Sequence, residues 1–333
     1  MEISKIGEVD LIARIQRRFS GGKDDQLKIG IGDDAAAVLS EPGKLLLLTT
    51  DMLVEGNHFL RGSISYKDLG YKSLAVNLSD IAAMGGYPGY AVVSLALPPD
   101  LKLQEFDSFY DGIQEVALNY GVAVIGGDIT SSKLGMVINI TVAGYAGKEK
   151  IIRQNGAEPG DLIAVTGALG ASQAGLLTLL YPEIDFPTEA REKALNKHYR
   201  PVPRLKEGLI LANTEKIHAM KDISDGLAKE INTIAHSSGV MAVVDAARIP
   251  ISPGAVEIGQ ILKKNPLEMA VQGGEEYELL FTFAARDYEA LYDIAYKNNM
   301  SISLIGRVEE GEGVFIEIDG QNEPLFFKGY QHF

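Results

Sequence analysis

The sequence contains no cysteine. That single absence excludes thiol nucleophiles, thiolate zinc centres and disulfides. Histidine is scarce as well, with five in 333 residues and no grouping of the kind zinc needs. No apolar run reaches the length of a membrane span. The first stretch, MEISKIGEVDLIARIQRRF, is charged and amphipathic and lacks the apolar centre of a signal peptide. Positive charge is in deficit: 31 Lys and Arg stand against 45 Asp and Glu, for a net charge of −14. With no basic stripe, a nucleic-acid backbone is excluded as a partner. These absences lead to the expectation of a cytoplasmic protein that engages neither membrane nor nucleic acid.

Several signature loops are missing too. No GxxxxGK[ST] is present, so there is no P-loop. The HRD and DFG triplets of protein kinases and the GxSxG elbow of hydrolases are also absent. Gly30-x-Gly32-x-x-Ala35 has the outline of a dinucleotide fingerprint, but Asp33 and Asp34 fill the turn and would repel a pyrophosphate.

What remains is an ordinary globular composition, 46% apolar and 23% charged, long enough for two domains. Strand patterns at 44–50, 90–98, 122–127 and 136–146 are interleaved with helical patterns at 6–19, 66–84 and 103–120. The alternation restarts at 161–167 and continues through helices at 170–181, 204–213 and 225–239. Further strands are expected at 218–224, 243–250, 278–283, 303–308 and 314–319, and 182–200 reads as a connector or surface helix. This is an α/β architecture of the α+β type with mixed sheets. The domain boundary is placed to give 1–148 and 149–333.

Acids recur at places where such folds put ligands. LLLLTTDMLVEGNHF (45–59) carries Asp51 after an apolar strand, and GGDIT carries Asp128 after another. DISDG closes a strand with Asp222 and opens a helix with Ser224 and Asp225. Within the helix at 66–84, Ser73, Asn77 and Asp80 form one polar stripe opposite Leu74, Leu78 and Ile81. An acid after a strand or at a helix start is, taken alone, explained by a turn or a helix cap, whereas Asp80 within an otherwise apolar helix is not so readily dismissed. Together with threonines, serines and glycines they make the all-oxygen donor set of Mg²⁺ bridging carboxylates to phosphates. Two like charges near 4 Å repel by roughly 4 kcal/mol at an effective dielectric of about 20. A polyphosphate therefore needs cations between itself and such acids, unless the acids stand apart.

IGDDAA, TTDMLVEGNHF, KSLAVNLSDIAAMG, GGDIT, DISDGL, GGEEYELLFT and KGYQHF occur in this order along nearly the whole chain. The ordered set resembles thiamine-monophosphate kinase, within the aminoimidazole ribonucleotide synthetase-like ATP-binding superfamily. The resemblance implies the two-domain fold of that superfamily, with an N-terminal domain that binds ATP and Mg²⁺ and dimerises through its sheet. It implies ATP-dependent phosphorylation of thiamine monophosphate to thiamine diphosphate, the last step in making that cofactor, by direct in-line transfer. Mg²⁺ ligands are then expected at Asp34, Thr49, Thr50, Asp51, Asp80, Asp128, Asp222 and Asp225. Nucleotide contacts are expected at Tyr110, Gly127, Asp128, Arg153 and Ser224, and substrate contacts at His58, Glu275 and Phe327. Relatives often carry tryptophan where Phe327 stands; phenylalanine still offers a stacking face. Of the adjacent Glu275 and Glu276, the resemblance selects Glu275 and leaves Glu276 to solvent. No side chain is assigned as acid or base, because an acceptor phosphate is already ionised. Two other readings use the same acids: a metal-dependent phosphohydrolase, and a non-catalytic nucleotide sensor.

Overall fold

The computed structural model describes residues 14, 17–18, 27–29, 37–38 and 43–328. The chain divides into two compact units, residues 1–81 with 86–149 and residues 82–85 with 150–333.

In the first unit, β1 (Leu27–Ile29) and β2 (Ala37–Val38) form a small antiparallel pair. Four longer strands make a mixed sheet: β3 (Lys44–Val54), β4 (Tyr87–Leu97), β5 (Ala123–Ser131) and β6 (Val137–Gly147), in the order β3-β6-β4-β5. β4 and β5 run parallel, and the other contacts are antiparallel. Helices α1 (Tyr66–Ala83) and α2 (Leu103–Tyr120) belong to the same unit. Ser65 starts α1, its hydroxyl accepting from Asp68 N at 3.0 Å, a side-chain cap of the kind Ser supplies. Gly121 ends α2 in a left-handed conformation, φ 69°.

The two helices meet through glycines. A Cβ on Gly70 of α1 would lie 1.9 Å from Phe109 O, and one on Gly112 of α2 would lie 1.8 Å from Lys67 O. The backbones thus approach to a distance that no side chain permits. The polar stripe of α1 does not face water, because Ser73 and Asn77 are as buried as Leu74 and Leu78.

Two strands run further than the sequence pattern suggests. β3 does not end at Asp51; it continues to Val54, and Asp51 pairs with Ile140 in mid-strand. Met52-Leu53-Val54 sustains the period-2 alternation, with Leu53 buried, and β6 is long enough to pair all eleven residues. β5 likewise carries through Gly126-Gly127-Asp128 to Ser131 beside β4. Of the helical pattern expected at 6–19, only Arg14, Arg17 and Arg18 are described, and they are helical.

Among the described residues, the second unit has a seven-stranded sheet in the order β13-β12-β9-β11-β7-β10-β8. Its strands are β7 (Asp161–Thr166), β8 (Ile217–Asp222), β9 (Met241–Asp245), β10 (Leu279–Ala284), β11 (Ile302–Glu309), β12 (Gly313–Ile318) and β13 (Gln321–Pro324). Only β12 and β9 are parallel among these neighbours. β10 has Leu279, Leu280, Phe281 and Phe283 fully buried, so LLFTF reads as a continuous apolar run rather than an alternating one. Helices are α3 (Ala171–Leu180), α4 (Thr188–Tyr199), α5 (Leu205–Thr214), α6 (Leu227–Ser238), α7 (Pro253–Leu262), α8 (Pro266–Gln272) and α9 (Tyr288–Lys297). Leu227, Ile231 and Ile234 of α6 join Val165, Leu280 and Ile305 in the main core, while α3, α4, α7 and α8 share a second cluster built on Ala174, Leu177, Ala194 and Met269. Of the stretch 182–200, Thr188–Tyr199 is the surface helix of the two readings, packed through Ala190, Ala194 and His198, and 182–187 lead into it. The strand expected at 243–250 stops at Asp245, whose carboxylate accepts from Ala247 N at 3.0 Å and turns the chain into a 3-10 turn.

Candidate active site

In the first unit, β3 sorts its polar residues by face. Thr49 and Asp51 point to α1, where the Thr49 hydroxyl donates to the Asp80 carboxylate and Asp51 N donates to Asn77 Oδ1 at 3.0 Å. Asn77 Nδ2 in turn donates to Ser73 O at 3.0 Å. The polar stripe read in the sequence is thus the support of the acids, with Asn77 fixing the strand against the helix that carries Asp80.

Thr50 lies on the opposite face, as period-2 geometry requires. Its hydroxyl donates to Ile140 O at 3.1 Å and meets Thr141 Oγ1 at 3.0 Å. Its side chain is not brought together with those of Thr49 and Asp51.

Asp128 is exposed on β5, opposite Ser94 in the parallel register. Asp51 and the Gly127-Asp128 pair occupy the two outer strands of the same sheet, three strand steps apart through Ile140 and Val93. At ~4.8 Å per step the backbones are separated by about 14 Å, too far for one ion to bind both. Gly127 is needed for backbone approach: a Cβ there would sit 1.9 Å from Val93 O. Among the described residues, no group of three or more His, Asp or Glu side chains is arrayed to hold a metal. The donors that do meet, Thr49 with Asp80 and Asp51 beside Asn77, are all oxygen and suit Mg²⁺.

His58 sits in the turn after β3. Its Nδ1 accepts from Val54 N at 3.0 Å, so the neutral ring carries its proton on Nε2. Tyr110 is 1% exposed, packed against Phe106 and Phe109 at centroid distances of 5.0 and 5.6 Å. Burial pushes its phenol far up. The ring is a core residue, and direct contact with a nucleotide would require it to leave that packing. Asp34 lies outside the described residues.

In the second unit, two chain segments are zipped together. Ile223 N donates to Glu278 O at 2.8 Å, Tyr277 N to Ile223 O at 2.8 Å, and Glu275 N to Ser224 O at 2.6 Å. The zip joins DISDG to GGEEYE and so brings Asp222, Ser224 and Asp225 beside Glu275. Glycine permits it, since a Cβ on Gly274 would lie 2.7 Å from Ser224 O. Asp222 is 2% exposed at the end of β8. Asp225 pairs with Lys229 one turn along α6, and the Lys229 ammonium stands 5.7 Å over the ring of Phe327. Gln272 straps the Phe327 segment down, its amide donating to Phe326 O at 2.9 Å and accepting from Lys328 N at 2.7 Å. Arg153 is exposed, with its carbonyl fixed by Met220 N at 2.8 Å.

Two supporting residues escaped sequence reasoning. Glu230, 1% exposed, accepts from Asp225 N at 3.2 Å and pairs with Lys221 at 3.0 Å. Burial raises its carboxyl despite that lysine. Its signal was an acid in the first turn of an amphipathic helix, which reads equally as a dipole partner. His198 on α4 is the other, and nothing in its polar surroundings marks it.

Glu276 is not solvated. It is fully buried, accepts from Ser172 N at 3.0 Å, and is pushed by burial up to about 7. Glu278 is also buried. Burial pushes its carboxyl up, but Lys197 at 2.8 Å and the two arms of Arg204 at 2.5 and 2.6 Å outweigh this and hold it below the ordinary carboxylate range.

Two family models match the chain, AIR synthase related protein, N-terminal domain, over residues 32–146 and AIR synthase related protein, C-terminal domain, over residues 158–319. A protein of Aquifex aeolicus (strain VF5) named thiamine-monophosphate kinase is 38% identical over 335 residues, covering 100% of both chains. The crystal structure of thiamine-monophosphate kinase from Stenotrophomonas maltophilia K279a superimposes with a TM-score of 0.83 at 34% identity, over 94% of this chain and 96% of that one. A structure described as AaThiL complexed with AMPPCP and TMP aligns with a TM-score of 0.79 at 34% identity, over 100% of this chain and 99% of that one. With full-length identity to such relatives and both AIR synthase related domains in order, the chain belongs to the thiamine-monophosphate kinase family.

Proposed function

We infer that this protein transfers the γ-phosphoryl group of ATP to the phosphate of thiamine monophosphate, giving ADP and thiamine diphosphate. The observation that carries the reading is the full-length likeness to a protein crystallised with AMPPCP, a non-hydrolysable ATP analogue, and TMP. The bond from the γ-phosphorus to the β,γ-bridging oxygen breaks, and an oxygen of the acceptor phosphate forms the new one. That oxygen is already anionic, so positioning and charge neutralisation are the main demands on the protein.

Asp51 and Asp80 with Thr49 are proposed to hold Mg²⁺ on the first unit, and Asp222 and Asp225 on the second. When bound, Mg²⁺ neutralises phosphate charge and orients the reacting groups. Asn77 and Glu230 keep the ligand-bearing backbone in place through Asp51 N and Asp225 N. Gly127, Asp128, Arg153 and Ser224 are proposed to contact the nucleotide, with Arg153 offering a fork of donors to phosphate oxygens. His58, Glu275 and Phe327 are proposed to contact the acceptor. Phe327 presents a ring face that already carries the Lys229 cation, a chemistry that also suits a thiazolium.

A homodimer and a cytoplasmic location are part of the proposal. Among the described residues β3 is an edge strand whose outer face exposes Leu46, Leu48 and Met52 at 54, 69 and 54%, a surface that a second copy would cover. No helix among the described residues is long and apolar enough to cross a membrane.

The test is an acceptor-dependent turnover assay with Mg²⁺-ATP and thiamine monophosphate, following ADP and thiamine diphosphate by chromatography. Equimolar products that need both acceptor and metal support the kinase. Inorganic phosphate released without acceptor overturns it in favour of a phosphohydrolase, and bound ATP without turnover favours a sensor.

A further inference from the structure

The segment Gly273–Glu278 holds two non-glycine residues in left-handed conformations, Glu275 at φ 62° and Tyr277 at φ 52°. Each costs of order 1 kcal/mol and persists only where the surroundings over-determine it. Here the side chains supply that determination. Glu276 turns inward and accepts from Ser172 N at the start of α3. Glu278 turns inward between Lys197 and Arg204, and also accepts from the Thr166 hydroxyl at 2.7 Å. With two glutamates spent as anchors, Glu275 is the carboxylate of the three with appreciable exposure, 27% of its side chain against 1% for Glu278 and a fully buried Glu276.

The Glu275 carboxylate is itself braced. Its Oε2 lies 3.2 Å from Nδ1 of His198, which is 6% exposed on α4 next to the Lys197 that grips Glu278. Ser172 Oγ meets the same nitrogen at 3.1 Å. Nδ1 thus stands within 3.2 Å of both oxygens. Because serine and glutamate meet one nitrogen rather than opposite edges of the ring, the three residues cannot relay a proton as a hydrolytic triad does. The arrangement is a brace: one turn of α4 sets where Glu275 stands.

We propose that His198 is a positioning residue for acceptor recognition, holding the Glu275 carboxylate where it meets the cationic heterocycle of thiamine monophosphate. The proposal rests on the reading of Glu275 as an acceptor contact. His198 acts through Glu275 on ground-state affinity for the acceptor, and the nucleotide and the transfer step are indifferent to it.

Steady-state kinetics of the full chain test this with E275Q, H198A, H198N, H198Q and the double variant H198A/E275Q. E275Q is expected to raise the acceptor KM about tenfold, with kcat and the ATP KM within about threefold, the pattern of lost uniform binding. H198A should raise the acceptor KM about fivefold with the same selectivity, and the double variant should be no worse than E275Q alone, the non-additivity of residues acting as one. H198N, whose amide nitrogen stands near the place of Nδ1, should restore most of the affinity, and H198Q, whose amide sits one bond further out, should not. An unchanged acceptor KM in E275Q removes the reading of Glu275 and the proposal with it. A raised KM in E275Q with an unchanged one in H198A, or additive effects in the double variant, overturns the role of His198 alone. Should H198A fail to fold, H198N and H198Q decide: equal KM values for the two overturn the proposal.

Discussion

Glu276 caps a helix from 104 residues away: its Oε1 accepts from Ser172 N at 3.0 Å at the start of α3, where Gly170 supplies no side chain of its own. The other oxygen, Oε2, has no hydrogen-bond partner. The group is fully buried, and burial pushes it up to about 7 from an ordinary 4.5.

This gives a pH dependence of known sign. Between about 4.5 and about 7 the folded protein holds a proton that the unfolded chain releases. The contribution of Glu276 is therefore full below about pH 4.5 and lost as the pH rises through about 7, by up to about 3 kcal/mol. Glu276→Gln keeps an acceptor for Ser172 N and abolishes the titration. Urea midpoints of the two proteins, measured from pH 5 to pH 8, should diverge in favour of the variant as pH rises. A constant gap would show that Glu276 does not titrate in this window.

Arg204→Met tests the neighbouring anchor. It strips Glu278, 1% exposed, of its bidentate partner and leaves Lys197, so a loss of about 3 kcal/mol in unfolding free energy is expected. Because its cations hold the Glu278 carboxyl low, the stability it contributes is present above the ordinary carboxylate range and lost as pH falls through the depressed value. In the variant that acid loss should move to higher pH, and adding Glu278→Gln should recover part of the deficit. Equal acid sensitivity of wild type and Arg204→Met would contradict the assignment.

Gly112→Ala places a methyl group 1.8 Å from Lys67 O. Neither helix backbone can yield locally, so α1 and α2 must separate, at a cost of about 3 kcal/mol or more. Calorimetry checks this. A variant as stable as wild type would mean that the crossing is looser than 1.8 Å implies.

Asp80→Asn and Asp51→Asn should each lower turnover by about 100-fold or more while leaving circular dichroism unchanged, since a near-isostere removes mainly metal-binding charge. Thr50→Val, on the other face of β3, should stay within about threefold, the cost of a hydroxyl whose partners are Ile140, Asn139 and Thr141. Metal titrations of ATP turnover separate the cases. A severe loss in Thr50→Val with normal Asp51→Asn would reverse the face assignment.

Local grammar carried much of the fold. Apolar runs and their period marked α1, α2, β6 and β10 in the sequence, because period is a property of adjacent residues. The ends of β3 and β5 were misjudged for the same reason: Asp and Gly-Gly favour turns locally, whereas the ladders to β6 and β4 carry both strands onward.

The sequence by itself determined the chemistry of the donors. With no cysteine, few histidines and many aspartates, the donors on offer are mainly oxygen. Tertiary structure decided which donors meet. It set Thr49 and Asp51 against α1 and turned Thr50 away, and it put Asp128 across the sheet from Asp51. It buried Tyr110, and it sent two of three consecutive-looking glutamates inward to leave Glu275 against His198. Strand register, glycine-permitted contact and burial join residues as far apart in the chain as Thr166 and Glu278, and no window of adjacent residues contains that information.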